Sequence, residues 1–173
     1  MSIRTKRTTK RSFAAVISAA LLASVLALVA SPAGGVAAVD ATVRKSGTDR
    51  YATAAAAADD GNTTETNFVL ASGESFADGL AASGLAGALA GTLLLTNGDS
   101  LNETTLTKMS KMTAGNGANV VERVWVVGGT AAISTAATNT LTAAGYTVVR
   151  VSGADRYATA DAVAAQMKLQ GTI

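Results

Sequence analysis

Residues 67–96 read NFVLASGESFADGLAASGLAGALAGTLLLT, and the fold class turns on how this stretch divides. An apolar run at Asn67 to Ala71 stops at Ser72-Gly73, and a second, Leu93-Leu94-Leu95, starts just after Gly91-Thr92. No charged residue occurs from Gly79 to Thr96, so a membrane span is the competing reading. A span needs about 20 predominantly apolar residues, whereas Gly79, Gly84, Gly87 and Gly91 keep this stretch weakly hydrophobic and Gly91-Thr92 breaks it. A buried helix followed by a central strand at Thr92 to Thr96 is therefore expected. Ser83, Gly87 and Gly91 recur every four residues and leave one helix face nearly flat, which is expected to lie on the sheet rather than against a neighbouring module.

The same alternation continues on both sides. Further strands are expected at Ala41 to Ser46, Val120 to Val127 and Tyr146 to Ser152, with helices between them. One helix should run from Arg50 to Asp60 and end at Gly61, since glycine tolerates a positive φ. Another should start after Ser100, where Ser100 and Glu103 have capping-box spacing. A third should run from Ser134 to Gly145, and the last from Arg156 to Lys168. Strands alternating with Ala-rich helices imply an α/β fold with a mainly parallel sheet.

A repeat sets the expected domain boundaries. Ser46-Gly47-Thr48-Asp49-Arg50-Tyr51-Ala52-Thr53-Ala54 returns as Ser152-Gly153-Ala154-Asp155-Arg156-Tyr157-Ala158-Thr159-Ala160, identical at eight of nine positions with an offset of 106. Val43-Arg44 matches Val149-Arg150 in the same register. The expectation is one complete module over residues 39–147 and the start of a second over 148–173, which Ile173 leaves incomplete, as in a fragment of a longer protein or a truncated gene product.

The first 38 residues have the layout of an export signal. Arg4, Lys6, Arg7, Lys10 and Arg11 precede an uncharged, mainly apolar segment from Phe13 to Ala30, followed by small residues that suit cleavage after Ala38 or after Ala33. The apolar segment is long for a signal core, so a retained membrane anchor is the alternative; Lys10-Arg11 is an imperfect match to a twin-arginine signal. Removing residues 1–38 takes five of the fourteen basic residues and none of the twelve acidic ones, leaving nine against twelve, a net charge of −3. A general nucleic-acid surface, which needs clustered basic residues to displace counterions, is not expected on such a chain.

The chain contains no Cys and no His. Disulfides, thiolate nucleophiles, the usual zinc sites and His-based triads are thereby excluded. No cofactor and no metal site is expected.

Ligands of a parallel sheet tend to sit beyond the carboxyl ends of its strands, where helix N-termini offer free N–H groups to anions. Each strand end here carries a Gly or Asp signature: Ser46 to Asp49, Ser72 to Asp78, Asn97-Gly98-Asp99, Gly128-Gly129-Thr130 and Ser152 to Asp155. Asp49 and Asp155 are read first as helix N-caps, with Arg50 and Arg156 paired locally and Tyr51 and Tyr157 packed beneath the turn. The functional reading is that Arg44, Lys45, Arg50, Arg150 and Arg156 concentrate five of the nine basic residues after Ala38 on the repeated strand-turn-helix and make a local anion site. Glu74 and Asp78 are spaced as an acid/base pair, yet helix capping explains them as well. Gly128-Gly129 lacks the remaining glycines of a dinucleotide turn and the Lys of a phosphate loop. Trp125 sits mid-strand and is read as core rather than as a sugar platform.

These motifs together resemble the cell wall-binding repeat 2 modules of Gram-positive surface proteins. The resemblance is carried by the repeated S-G-x-D-R-Y-A-T-A, by Val69 to Ala82, by Leu93-Leu94-Leu95-Thr96, and by Val126-Val127-Gly128-Gly129 with Ala132-Ile133-Ser134. It implies a Rossmann-like or Toprim-like three-layer fold, no catalysis, and non-covalent retention of an exported protein on the envelope through an anionic secondary wall polymer. Such modules pack against neighbouring copies, in cis or in trans. The family's apolar triplet linked to wall attachment falls on Leu93, Leu94 and Leu95, with Leu in place of Ile and Thr92 where Pro is common. The polymer-binding candidates are Arg44, Asp49, Arg50, Ser72, Gly73, Asp78, Gly128, Gly129, Arg150, Asp155 and Arg156. The alternatives are the targeting portion of a peptidoglycan amidase or protease, and a structural surface-array protein. In either case no nucleic acid, and no membrane after signal cleavage, is expected as a partner.

Overall fold

A computed structural model describes residues 44–58 and 61–171. The sheet is built from β1 (Asn67–Ser72), β2 (Thr92–Thr96), β3 (Arg123–Val127) and β4 (Thr147–Val151), all parallel, in the spatial order β2-β1-β3-β4. The helices are α1 (Arg50–Ala57), α2 (Phe76–Ala88), α3 (Glu103–Thr113), α4 (Thr135–Ala143) and α5 (Arg156–Leu169).

Alternating side chains of the strands feed two separate cores, as the period of a strand requires. Phe68, Leu70, Leu94, Val124 and Val126 point to the layer of α3 and α4, where they meet Met109, Met112, Ile133, Ala137 and Leu141. Val69, Ala71, Trp125, Val127 and Val151 point the other way and meet Ala82, Leu85, Ala86 and Val163 of α2 and α5. The result is a three-layer sandwich in which β1, covered on both faces, is apolar without interruption from Phe68 to Ala71. Trp125 is core, and its Nε1 donates to Asn67 Oδ1 at 3.3 Å.

Several expected elements shift. Among the described residues 44–46, which were expected to end a first strand, no strand forms and all three are exposed; residues 41–43 and the export segment 1–38 lie outside the described part. Among the described residues strand β2 is an edge strand, not a central one, because only β1 pairs with it, and Leu93 and Leu95 stay half-buried. Strand β3 begins at Arg123 instead of Val120, and Val120 and Val121 are exposed. Helix α1 stops at Ala57, short of Gly61, and Asp59 and Asp60 lie outside the described residues. Asn102 caps α3, accepting from Thr104 N and Thr105 N, so the box at Ser100 does not form. A nearby side chain aimed along the helix axis wins over one two residues further out. Ser134 caps α4 and Gly145 ends it at φ +97, as expected.

The flat face of α2 does not meet the sheet. Ser83 and Gly87 are exposed, and the sheet-facing stripe is Asp78, Ala82, Leu85 and Ala86. Leu85 is the one large apolar side chain on that covered stripe, and the small Ala82 and Ala86 beside it let the helix lie close. Gly91 is the exception, pressed against Asn67 O of β1. Among the described residues no helix is long and apolar enough to cross a membrane.

Candidate functional site

The chain leaves β1 for α2 on one face of the sheet and leaves β3 for α4 on the other, so the loops diverge between these neighbouring strands. Such a divergence opens a crevice beyond the carboxyl ends of the strands. Here it is a cleft of about 270 Å³ lined by Ser75, Ala77 and Asp78 after β1, by Gly129, Ala131 and Ala132 after β3, and by Gly153 to Arg156 after β4.

Each wall has a sequence-level cause. Gly128 turns the chain at φ +113, a conformation that residues with a Cβ rarely adopt, and its N–H donates to Val151 O at 2.9 Å. Asp78, in the first turn of α2, is buried with its carboxylate over Gly128. Ser75 occupies the N-cap position of α2 without a side-chain cap bond, whereas the other four described helices have theirs capped by Asp49, Asn102, Ser134 and Asp155. Unclaimed N–H groups and the positive helix end thus face the cleft.

The repeated turn has the same geometry in both copies. Asp49 Oδ1 accepts from Ala52 N at 2.7 Å, and Asp155 Oδ1 from Tyr157 N and Ala158 N at 2.9 and 2.8 Å. Gly47 N donates to Thr53 Oγ1 and Gly153 N to Thr159 Oγ1, each at 3.1 Å. The two aspartates are N-caps. Among the described residues no ion pair joins them to Arg50 or Arg156; Arg50 Nη1 instead donates to Gly73 O.

The sequence candidates therefore divide. Asp78, Gly129, Asp155 and Arg156 line the cleft, with Gly128 beneath it. Arg50, Ser72 and Gly73 belong to a second groove beside Leu93 and Leu95 at the β2 edge. Asp49 caps α1 away from the cleft, and Arg44 lies in an exposed segment without regular secondary structure. Of the triplet only Leu94 is fully buried in the core, while Leu93 and Leu95 are half-buried and line the second groove. Glu74 and Asp78 serve different loops, Glu74 accepting from Gly98 N at 3.2 Å while Asp78 reaches Gly128, so they are not a catalytic pair. Sequence reasoning missed Ser75, Ala77, Ala131 and Ala132, whose small size was the available signal.

Arg150 acts as a strut, and it is absent from the lining of the cleft. Its guanidinium donates to Gly128 O at 2.7 Å and to Ile133 O at 2.9 Å, bracing the β3–α4 turn from below. Burial holds its pKa below the usual arginine value. Arg150→Met keeps the stem but strands two carbonyls, and is expected to lower stability by about 2 kcal/mol. Chemical denaturation checks this; an unchanged midpoint would show the turn to be self-supporting.

Among the described residues no group of three or more acidic side chains is placed to hold a metal ion. Over 124 residues the chain is 35% identical to the N-acetylmuramoyl-L-alanine amidase LytC of Bacillus subtilis (strain 168), a match covering 72% of this chain and 24% of the amidase. Among solved structures it resembles Cwp8 from Clostridium difficile at a TM-score of 0.62 and 28% identity, over 70% of this chain and 21% of that one. Cwp6 from Clostridium difficile shares the fold at a TM-score of 0.58 and 24% identity, over 78% and 22%. The chain thus spans less than a quarter of the length of each of these relatives. The family described as Cell wall binding domain 2 (CWB2) matches residues 44–138, and the four motifs on which the resemblance rests fall largely within that span. With more than half of its length matched, the chain belongs to the Cell wall binding domain 2 family, residues 44–138 forming a binding module rather than a catalytic one.

Proposed function

We propose that the module holds an exported protein on the Gram-positive wall by gripping an anionic secondary wall polymer in the cleft between β1, β3 and β4. The observation that carries this reading is the uncapped N-terminus of α2 facing the same cleft as Arg156. N–H groups and a guanidinium attract phosphate or carboxylate anions, while the Asp78 carboxylate can accept a sugar hydroxyl. That mixture suits a charged glycan better than a simple ion. Arg44, Asp49 and Arg50 play no part in this version of the site, and neighbouring copies of the module would multiply its grip.

The test is a pull-down of the purified chain with walls before and after removal of the secondary polymer. Binding should vanish with the polymer and weaken as salt rises. Arg156→Ala should reduce it about tenfold, the loss of one charge-assisted hydrogen bond, and Arg50→Ala should not. Binding that survives polymer removal would instead point to retention by protein contacts. The likeness to an amidase favours a second reading, in which the module addresses a wall hydrolase to its substrate. That reading changes what is delivered and leaves the cleft's task the same.

A further inference from the structure

An asparagine followed by glycine is prone to lose its side-chain amide spontaneously, because glycine has no Cβ to keep its nitrogen from the neighbouring side-chain carbonyl carbon. The chain contains two such pairs, Asn97-Gly98 and Asn116-Gly117, and the fold treats them oppositely. Gly98 is buried and its N–H donates to Glu74 Oε1 at 3.2 Å, while Asn97 Oδ1 accepts from Asn102 Nδ2 at 3.0 Å. A nitrogen held against a carboxylate neither gives up its proton readily nor turns to attack. Gly117 is exposed, its N–H has no hydrogen-bond partner among the described residues, and an added Cβ would meet nothing within 4 Å.

Asn116 is also a fastener. Its Nδ2 donates to Glu65 O and to Glu122 Oε1, each at 2.8 Å, and so ties the loop between α3 and β3 to the approaches of β1 and β3. Gly115 N adds one further tie to Thr63 O at 2.7 Å, whereas residues 117–121 are all exposed.

We propose that Asn116-Gly117 is a self-acting deamidation site whose product unfastens the α3–β3 loop, so that each molecule is marked by its age. The Gly117 nitrogen, its proton taken by hydroxide, attacks Asn116 Cγ. The new C–N bond forms as the Cγ–Nδ2 bond breaks, and ammonia leaves with a proton from water, which restores the hydroxide. One water molecule then opens the succinimide at either carbonyl, giving aspartate or isoaspartate; nothing is oxidised or reduced. Where an N–H donor stood, a carboxylate now faces Glu122 Oε1, a like charge at hydrogen-bond distance, and the Glu65 carbonyl loses its donor. The loop opens as product accumulates, and residues 117–121 become a point of entry for proteases. This site lies at the amino ends of β1 and β3, away from the cleft, and is independent of what the cleft binds.

The test ages the purified chain over days at physiological temperature, at neutral and at mildly alkaline pH. Tryptic cleavage after Lys111 and Arg123 isolates residues 112–123, in which mass spectrometry measures conversion of Asn116 and isoaspartyl methyltransferase labels the isomer. Conversion at Asn116 should run at least about tenfold faster than at Asn97, whose buried neighbour reacts only after local opening, and should speed up as pH rises. Gly117→Ala, whose side chain enters open space at a φ that is not positive, should leave stability unchanged and slow conversion at least about tenfold. Under native conditions a protease should cut within residues 114–122 about tenfold faster in the aged chain and in fresh Asn116→Asp than in the fresh natural chain, and aged Gly117→Ala should resist. Equal conversion at the two pairs, or an Asn116 that keeps its amide, overturns the proposal. So does conversion without faster cleavage. Should Asn116→Asp fail to fold, the aged natural chain, in which the product forms after folding, makes the same comparison.

Discussion

Phe68→Ala should destabilise the domain by about 3 to 5 kcal/mol, the range for removing a fully buried aromatic ring and leaving its cavity. Phe68 has no exposed surface and stands near the start of the central strand, in register with Thr92 on one side and Val124 on the other. Its ring meets that of Tyr146 edge-on, with centroids 6.1 Å apart and planes at 84°. Such pairs add about 0.5 to 1.5 kcal/mol beyond area burial. Both neighbouring strands are hydrogen-bonded to β1, so the backbone cannot collapse into the void. Since domains are stable by only about 5 to 15 kcal/mol in total, the loss is a large fraction. Urea denaturation should show a lowered midpoint at an unchanged slope, with Phe68→Leu much milder. A loss under about 1 kcal/mol would mean that the α3–α4 core is not closed around this ring.

The layered fold was legible because the two inner strands carry runs that only a doubly covered sheet can bury. Phe68 to Ala71 and Val124 to Val127 are apolar at every position, and both sets are buried. Strand order was not legible in the same way. Leu93-Leu94-Leu95 reads like a central strand, yet only Leu94 is fully covered, since an edge position depends on partners that no local pattern encodes. The turn residues were legible for a related reason: Gly128, Asp155 and Ser134 each meet a backbone demand that few residue types satisfy. Which turns share one cleft followed from topology alone. Arg150 illustrates the gap, for as one of five clustered basic residues it looked like a ligand, and its carbonyl partners lie 17 and 22 residues away in sequence.

Gly128→Ala is expected to cost about 3 kcal/mol, from two causes that act together. At φ +113 a side chain strains the backbone, about 1 to 3 kcal/mol. The new Cβ would also lie 2.6 Å from Asp78 Oδ2 and 3.1 Å from Ala132 Cβ, an overpacking of similar size. The turn cannot yield easily, since Gly128 N is bound to Val151 O and its carbonyl to Arg150. Gly129→Ala is the matched control: its φ is not positive and nothing stands within 4 Å of the added carbon, so stability should hardly change. Because the clash falls on Asp78, the double variant Gly128→Ala with Asp78→Ala should recover the packing part and leave the backbone part, a coupling that a double-mutant cycle measures. The same cycle read by wall binding separates the cleft's structural part from the binding part proposed for it. A loss of wall binding in the single Asp78→Ala chain, with Gly128 intact and the chain folded, would place the Asp78 carboxylate among the groups of the proposed site that touch the polymer. Full recovery of binding with the packing would reduce Asp78 to a wall of the cleft, leaving Arg156 and the α2 N–H groups to hold the anion.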